Sequence, residues 1–294
     1  MIKFKLISDS SSGITQEEAL KLGIIILPLT LSYNGKNYRD GIDISTDEFY
    51  KLFFELEEKS HLDLFKKTEF PKTSQVKPLD FELCFKKVIA NGEIPVVIPI
   101  SSVLSGTYQS ACIAKSMLEN EEIYVIDSNS ALGSVKVMLE YLAKKEFETI
   151  DDLLNEIEYI KNHLNFYAVP DTLEFLYRGG RLLKTTAIVG NLLQLKPIIQ
   201  LDKLGHLVSI DKIRGLKHAF LKLKENVKKF PIDSKYPFGF GYSTKIENVN
   251  CLIDICEDLL PYKIIPEQIS PVVGAHVGPG ASAIFYVSKE VVIK

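Results

Sequence analysis

The chain has 294 residues, 46% of them hydrophobic, with 35 Lys+Arg against 38 Asp+Glu and a formal net charge of −3. That length suggests two ordinary domains, and that composition supports a sizeable core. The near-balanced charge gives no reason to expect nucleic acid or an anionic membrane as a partner. The four cysteines, Cys84, Cys112, Cys251 and Cys256, form no C-x-x-C pair. Without a His/Cys set at zinc spacing they read as buried reduced thiols, and no metal is expected. The opening stretch, residues 1–13, turns polar too soon for a secretion signal. The longest apolar stretch, Leu22–Leu31, spans ten residues and holds Gly23 and Pro28, whereas a membrane helix needs about 20. A cytoplasmic protein with no anchor of its own is expected.

In chain order, Lys3–Ser8 reads as a strand ending in Asp9-Ser10-Ser11-Ser12-Gly13. Thr15 and Glu18 have the spacing of a capping box for a helix over 15–22, which Gly23 stops. Ile24–Leu31 reads as a second strand, and Tyr33-Asn34-Gly35-Lys36 as a hairpin turn. Ser45/Thr46 open a helix reaching about Lys59, and Leu79–Ala90 is helical. Pro95–Ile100 and Glu122–Ile126 are short continuous apolar runs, the mark of strands buried on both faces. Helices over Ser105–Leu118 and Gly133–Lys144 follow them. Thr149 and Asp152 open a charged helix ending at His163. The pattern then shifts. A strand over Phe166–Val169 and a helix over Asp171–Tyr177 precede a hairpin of Lys196–Leu201 and Leu207–Lys212. A helix over Leu216–Lys228, a strand over Phe238–Tyr242 and a helix over Ile246–Leu259 come next. Val272–Val277 and Ala283–Val287 read as strands joined by Gly278-Pro279-Gly280. Strands alternating with helices imply a parallel sheet covered on both faces. The expected fold is therefore α/β: an N-terminal parallel-sheet domain, residues 1–163, with helices on both faces, and a C-terminal α+β domain, residues 164–294.

In parallel sheets ligands bind beyond the carboxyl ends of the strands. Three strand ends carry small polar residues there: Ser8-Asp9-Ser10, Ser101-Ser102 and Asp127-Ser128. Each is equally readable as helix capping. The segment Ser101–Tyr108 is the richest. Ser105 suits an N-cap, and a helix start attracts an anion. Gly106 would let a ligand approach the backbone, with Thr107 beside it. A hydroxyl-decorated cap explains the same residues. Thr73-Ser74-Gln75 also precedes a helix and could be a cap. Arg178-Gly179-Gly180-Arg181 offers either two guanidiniums for a carboxylate or phosphate, or a helix C-terminus with its glycine stop. His276 lies in a glycine-rich run, Gly274–Gly280, where a lone histidine is either structural or part of a site. His61, His163, His206 and His218 read as exposed. Ser105 and His276 could form a nucleophile and base, but no G-x-S-x-G elbow and no orienting carboxylate is evident. Neither nucleotide fingerprint, G-x-x-x-x-G-K-[ST] or G-x-G-x-x-G, is present.

Taken in order, Asp9-Ser10, Thr73-Ser74-Gln75, Ser102-x-Leu-Ser105-Gly-Thr-Tyr, Asp127-Ser128, Leu173-Glu-Phe-Leu-x-Arg-Gly-Gly-Arg181, Leu195-Lys-Pro197 and Gly274-x-His-x-Gly-Pro-Gly280 resemble the DegV family of bacterial fatty-acid-binding proteins. Each motif alone is weak, but the ordered set spans nearly the whole chain. The resemblance implies one buried long-chain fatty acid and no cofactor. Its carboxylate would be held by Thr73, Ser105 with Gly106, His276 and Arg181, in a polar shell of Asp9, Ser10, Ser74, Ser102 and Thr107. It also implies a carrier rather than an enzyme, one that presents the carboxylate to a separate fatty-acid kinase. Arg214 matches the basic residue that docks the kinase. A chain in Leu182-Leu183-Lys184 departs from the smaller or polar residues usual there. Residues 55–70 form a long charged connection. Ile188–Leu195 is an apolar run suited to lining the tail slot. A Ser105/His276 hydrolase of lipid esters and a binder of some other amphiphile are the alternatives.

Overall fold

The computed structural model describes residues 1–52, 70–119, 122–182 and 195–292. The predicted helix ends beyond residue 52, the 55–70 connection, His61 and residues 183–194 lie outside them. Four strands form the first sheet: β1 (Phe4–Asp9), β2 (Ile25–Leu27), β6 (Ile94–Val97) and β7 (Tyr124–Val125), in the order β2-β1-β6-β7 and all parallel. Alternate residues face opposite ways, as a pleat requires. Leu6 and Val96 pack on one side, and Ile7 and Val97 on the other. The second side is covered by α2 (Pro78–Ala90) and α3 (Thr107–Ser116) through Phe81, Phe85, Ala111 and Ala114. On the first side lie α1 (Gln16–Leu22), α4 (Gly133–Ala143) and α5 (Ile150–His163). The capping boxes at Thr15 and Thr149 both form.

The expected strand over Ile24–Leu31 is broken. Pro28 lacks the N–H a ladder needs, so β2 stops at Leu27 and the chain restarts as β3 (Thr30–Tyr33) in another sheet. There β3 pairs with β4 (Lys36–Arg39) and β5 (Lys72–Ser74), both antiparallel. The turn between β3 and β4 has Asn34 and Gly35 at φ 50° and 71°, the double left-handed pair of a two-residue hairpin.

A six-stranded sheet follows: β8 (Leu164–Val169), β9 (Leu195–Leu201), β10 (Leu207–Arg214), β11 (Phe238–Tyr242), β12 (Glu267–Gln268) and β13 (Ser282–Val287), in the order β10-β9-β8-β13-β11-β12. Only β11 and β12 run parallel. One face is covered by α7 (Leu216–Lys229) and α8 (Ile246–Cys256) through Phe220, Leu223, Val249 and Leu252. The other face receives α4, which packs against β8, β11 and β13. Helix α4 is thus buried nearly all round, including Lys136, whose ammonium meets Glu18 and Glu267 at 2.8 Å each. No described helix is long and apolar enough to cross a membrane.

Three expectations are corrected. Val272–Val277 is not a strand but the end of a helix, α9 (Pro271–Val277). A short, mostly apolar run cannot be assigned to helix or strand by periodicity, and Pro271 sits at the first helical turn, where proline is tolerated. His163 is not exposed: it stacks on Tyr159 at 4.0 Å, and its Nδ1 bonds the Tyr159 carbonyl at 2.7 Å. Cys84 and Cys256 are buried free thiols, but Cys112 and Cys251 are only half-buried.

Gly133 opens α4 directly beneath Phe285, and an added Cβ would lie 2.0 Å from that ring. Gly133→Ala is expected to lower stability by about 1–3 kcal/mol through overpacking. The measurement is a urea midpoint that falls at constant slope; an unchanged midpoint would mean that the ring moves aside at no cost.

Candidate functional site

A narrow slot opens between the two larger sheets, beyond the carboxyl ends of β1 and β6. Its cavity volume is about 60 Å³. The shape is a crevice rather than a chamber. Its walls are mostly aliphatic, with Leu104, Ala131, Leu132, Phe166, Ile199 and Leu207 among them, and its polar lining is Ser11, Thr73, Ser105, Arg181 and His276. Five separate stretches deliver those groups: the turn after β1, strand β5, the loop before α3, the end of α6 (Glu174–Arg178) and α9.

Thr73, opposite Leu31 in the β3–β5 ladder, bonds His276 Nε2 through Oγ1 at 2.7 Å. The other ring nitrogen, Nδ1, is buried with no partner. A Cβ on Gly179 would lie 2.3 Å from it, so only glycine there lets the Arg178–Arg181 turn close over the ring. A buried unpartnered N–H costs more than a bare lone pair. We therefore assign the proton to Nε2, which donates to Thr73 and leaves the threonine hydroxyl to donate into the slot. Burial first, and then the Arg181 charge, lower the His276 pKa to about 4. Arg181 donates from Nε to Leu104 O at 3.1 Å and from Nη1 to Gly179 O at 2.5 Å. Its own pKa is pulled down by burial. The first arginine of the motif is used differently: Arg178 pairs with Glu174 and lies 4.6 Å from the Phe70 ring centroid.

Ser105 is not the helix cap itself, since α3 begins at Thr107. Ser105 Oγ accepts from Thr107 N at 3.3 Å and shares a hydrogen bond with Thr107 Oγ1 at 2.9 Å. The space at Gly106 is filled by the Gln75 side chain, whose Oε1 would lie 1.9 Å from an added Cβ and whose Nε2 donates to Ser110. Sequence reasoning took that space for a ligand. Asp9 does not face the slot but accepts from Ser11 N, Ser11 Oγ and Ile100 N. Burial pushes its acid up. Ser10 Oγ accepts from Leu29 N at 3.1 Å, tying β1 to the start of β3. Ser74 and Ser102 are exposed, Ser102 N donating to Asp127 at 3.1 Å. Arg214 is exposed at the end of β10, opposite Leu195. The residue missed by sequence reasoning is Ser11. Its signal was the Asp-x-Ser spacing, in which an aspartate bonds the backbone two residues on.

A family profile described as "Uncharacterised protein, DegV family" matches residues 3–289. The chain belongs to the DegV family. A DegV domain-containing protein of Caldanaerobacter subterraneus is 33% identical over 98% of this chain and all of its own length. One from Clostridium acetobutylicum is 34% identical with the same coverage. Among solved structures, a Thermus thermophilus DegV protein described for its fatty acid binding superposes with TM-score 0.83 at 27% identity, covering 98% of this chain and 100% of its own. The DegV fatty acid binding protein of Bacillus subtilis does so with TM-score 0.79 at 25% identity, covering 98% and 100%. The DegV fold thus accounts for the two larger sheets.

A histidine with a folded-state pKa of about 4, below its unfolded value near 6.5, makes stability depend on pH. The unfolded chain takes up the proton first, so the contribution is complete above pH 6.5 and is lost as pH falls from 6.5 toward 4. His276→Gln should gain in melting temperature relative to wild type as pH falls across that window. A variant that keeps the wild-type slope would show that His276 is not the group responsible.

Proposed function

We propose that this DegV protein binds a single long-chain fatty acid, with its tail along the aliphatic slot and its carboxylate among Thr73, Ser105, His276 and Arg181. The observation that carries this reading is the convergence of those polar groups, from separate segments, on one end of an otherwise apolar crevice. Burying each methylene is worth about 0.8 kcal/mol, so plain walls suffice for affinity. The carboxylate loses water on binding and must meet donors and positive charge. The Thr73 hydroxyl, freed by His276, and the Arg181 guanidinium are suited to that. The crevice is open at its mouth, which fits a head group held near the surface. Fatty acid binding in the Thermus and Bacillus relatives supports the same reading.

The carrier role goes one step further: a fatty-acid kinase would dock on this protein and phosphorylate the exposed carboxylate. Arg214, exposed at the end of β10, is the candidate docking residue. It lies opposite Leu195 at the start of β9, and the neighbouring Lys196 pairs with Asp171, just past β8 and ahead of the Arg181 turn. A hydrolase would need Ser105 bonded to His276, but Thr73 holds the His276 Nε2 and Thr107 the Ser105 hydroxyl.

Solvent extraction of the purified protein, followed by mass spectrometry, should recover about one fatty acid per chain. Ser105→Ala should weaken binding by about 1.5–3 kcal/mol, the scale of a lost hydrogen bond to a charged group, and His276→Ala should weaken it by removing the partner that turns the Thr73 hydroxyl into the slot. Recovery of a different amphiphile, or an empty protein that refuses fatty acids, would overturn the reading. Separately, Arg214→Glu should abolish acyl-phosphate formation with a fatty-acid kinase and ATP while leaving fatty acid binding unchanged. Loss of both together would remove Arg214 from a docking role.

A further inference from the structure

Asp40 lies outside the slot and is 1% exposed. It ends β4, where its N–H donates to Leu29 O at 2.9 Å. Both carboxylate oxygens are buried short of full hydrogen-bond geometry. The groups facing them are the Ser10 hydroxyl and the Val272 N–H. A buried carboxylate so thinly paired costs stability, and a costly buried group beside a binding site is a candidate for function.

Its two neighbours say what that function is. Val272 is in the first turn of α9, whose opening N–H groups need acceptors. Ser270 stands at the cap position but makes no side-chain cap bond, and its own hydroxyl is buried without a partner. The acceptor facing the Val272 N–H is the Asp40 carboxylate. Four residues beyond Val272, the same helix carries His276. On the other side, Ser10 is followed by Ser11, which lines the slot. Asp40 stands between the two backbone segments that deliver these residues. Tyr50 closes the space from the helix over 46–52, its hydroxyl pressed so near Gly274 that a Cβ there would lie 2.4 Å away.

We propose that Asp40 is a positioning residue for the head-group site, its ionised carboxylate tying the start of α9 to the Ser10 turn and so holding His276 and Ser11 toward the ligand carboxylate. The proposal rests on the fatty-acid reading of the slot. The titratable groups around Asp40 are Asp9 on β1 and Tyr50 on the helix over 46–52. Tyr50, its phenol pushed far up by burial, stays neutral. Burial, with a smaller push from Asp9, raises Asp40 to about 7. The folded value lies above the unfolded one of 3.8, so ionisation costs stability as pH rises from about 4 through 7. An uncharged isostere removes that cost. Stability and binding should therefore move in opposite directions, which a merely structural residue would not cause.

The test compares wild type with Asp40→Asn and Asp40→Glu by thermal melts at pH 6 and 8, oleate titration over the same range, and ¹⁵N spectra of the His276 ring. Asp40→Asn should melt at or above the wild-type temperature at pH 8, bind oleate about tenfold more weakly, a loss of 1.4 kcal/mol, and show displaced His276 signals. Its affinity should also lose the step near pH 7 that wild type shows. Asp40→Glu should recover part of the affinity. Wild-type affinity with unmoved ring signals in Asp40→Asn would overturn the proposal, as would melting temperature and affinity falling together. If wild type takes up no oleate, the fatty-acid reading fails on its own, and the ring signals still decide: unmoved in Asp40→Asn, they end the positioning role.

Discussion

A polar group inside an apolar crevice is tolerable only when every neighbour is spoken for, and the contact between Thr73 and His276 is where this fold meets that constraint. The two residues are 203 positions apart and 2.7 Å from each other. Around them the backbone is packed so closely that a methyl group at Gly179 would strike the imidazole. The ring is left neutral because nothing near it would welcome a second proton: it is buried, and Arg181 is already positive. Neutrality in turn sends the hydroxyl proton of Thr73 outward. One desolvated histidine thus sets the direction of the hydrogen bonds at the slot's polar end.

The remaining polar groups are held by fixed neighbours. Arg181 is fixed by two carbonyls, those of Leu104 and Gly179, and Ser11 by a buried aspartate that also takes the Ile100 N–H. Carbonyl and amide anchors do not rotate away, so these side chains are ordered before any ligand arrives. That lowers the entropy lost on binding. The slot wall is equally constrained: Leu132 holds φ 56° and ψ −148°, a conformation that branched side chains avoid. Such a residue persists only where its surroundings leave no alternative.

Much of this was legible from the residues. Apolar runs ending in serine and aspartate marked β1 and β6 as strands that open onto a site, and the capping boxes at Thr15 and Thr149 fixed two helix starts. The ordered motifs brought Thr73, Ser105, Arg181 and His276 into one account before any geometry was known. What was hidden depends on contacts between distant segments. Val272–Val277 looks like a strand because a short, mostly apolar run satisfies either period, and Pro271 at the first turn starts a helix instead. Gly106 looked like space kept for a ligand, but Gln75 fills it, and no local pattern names a glutamine 31 positions upstream. His163 looked exposed within a charged helix, but its ring folds back on the preceding turn. Asp40 sits in an ordinary polar stretch, and its burial comes from packing against α9, more than 200 residues later.

The placement of α4 has a consequence for how the molecule comes apart. Its residues pack against the first sheet through Leu6 and Val96 and against the second through Phe285 and Val287, with Lys136 bridging to Glu18 and Glu267 from within. A helix shared by two sheets belongs to neither alone. A break in the chain near residue 163 would leave either half with a bare apolar face, so the two halves should melt as one cooperative unit. The crevice is then a seam within a single folding unit, and widening it for a tail means loosening packing that both halves share.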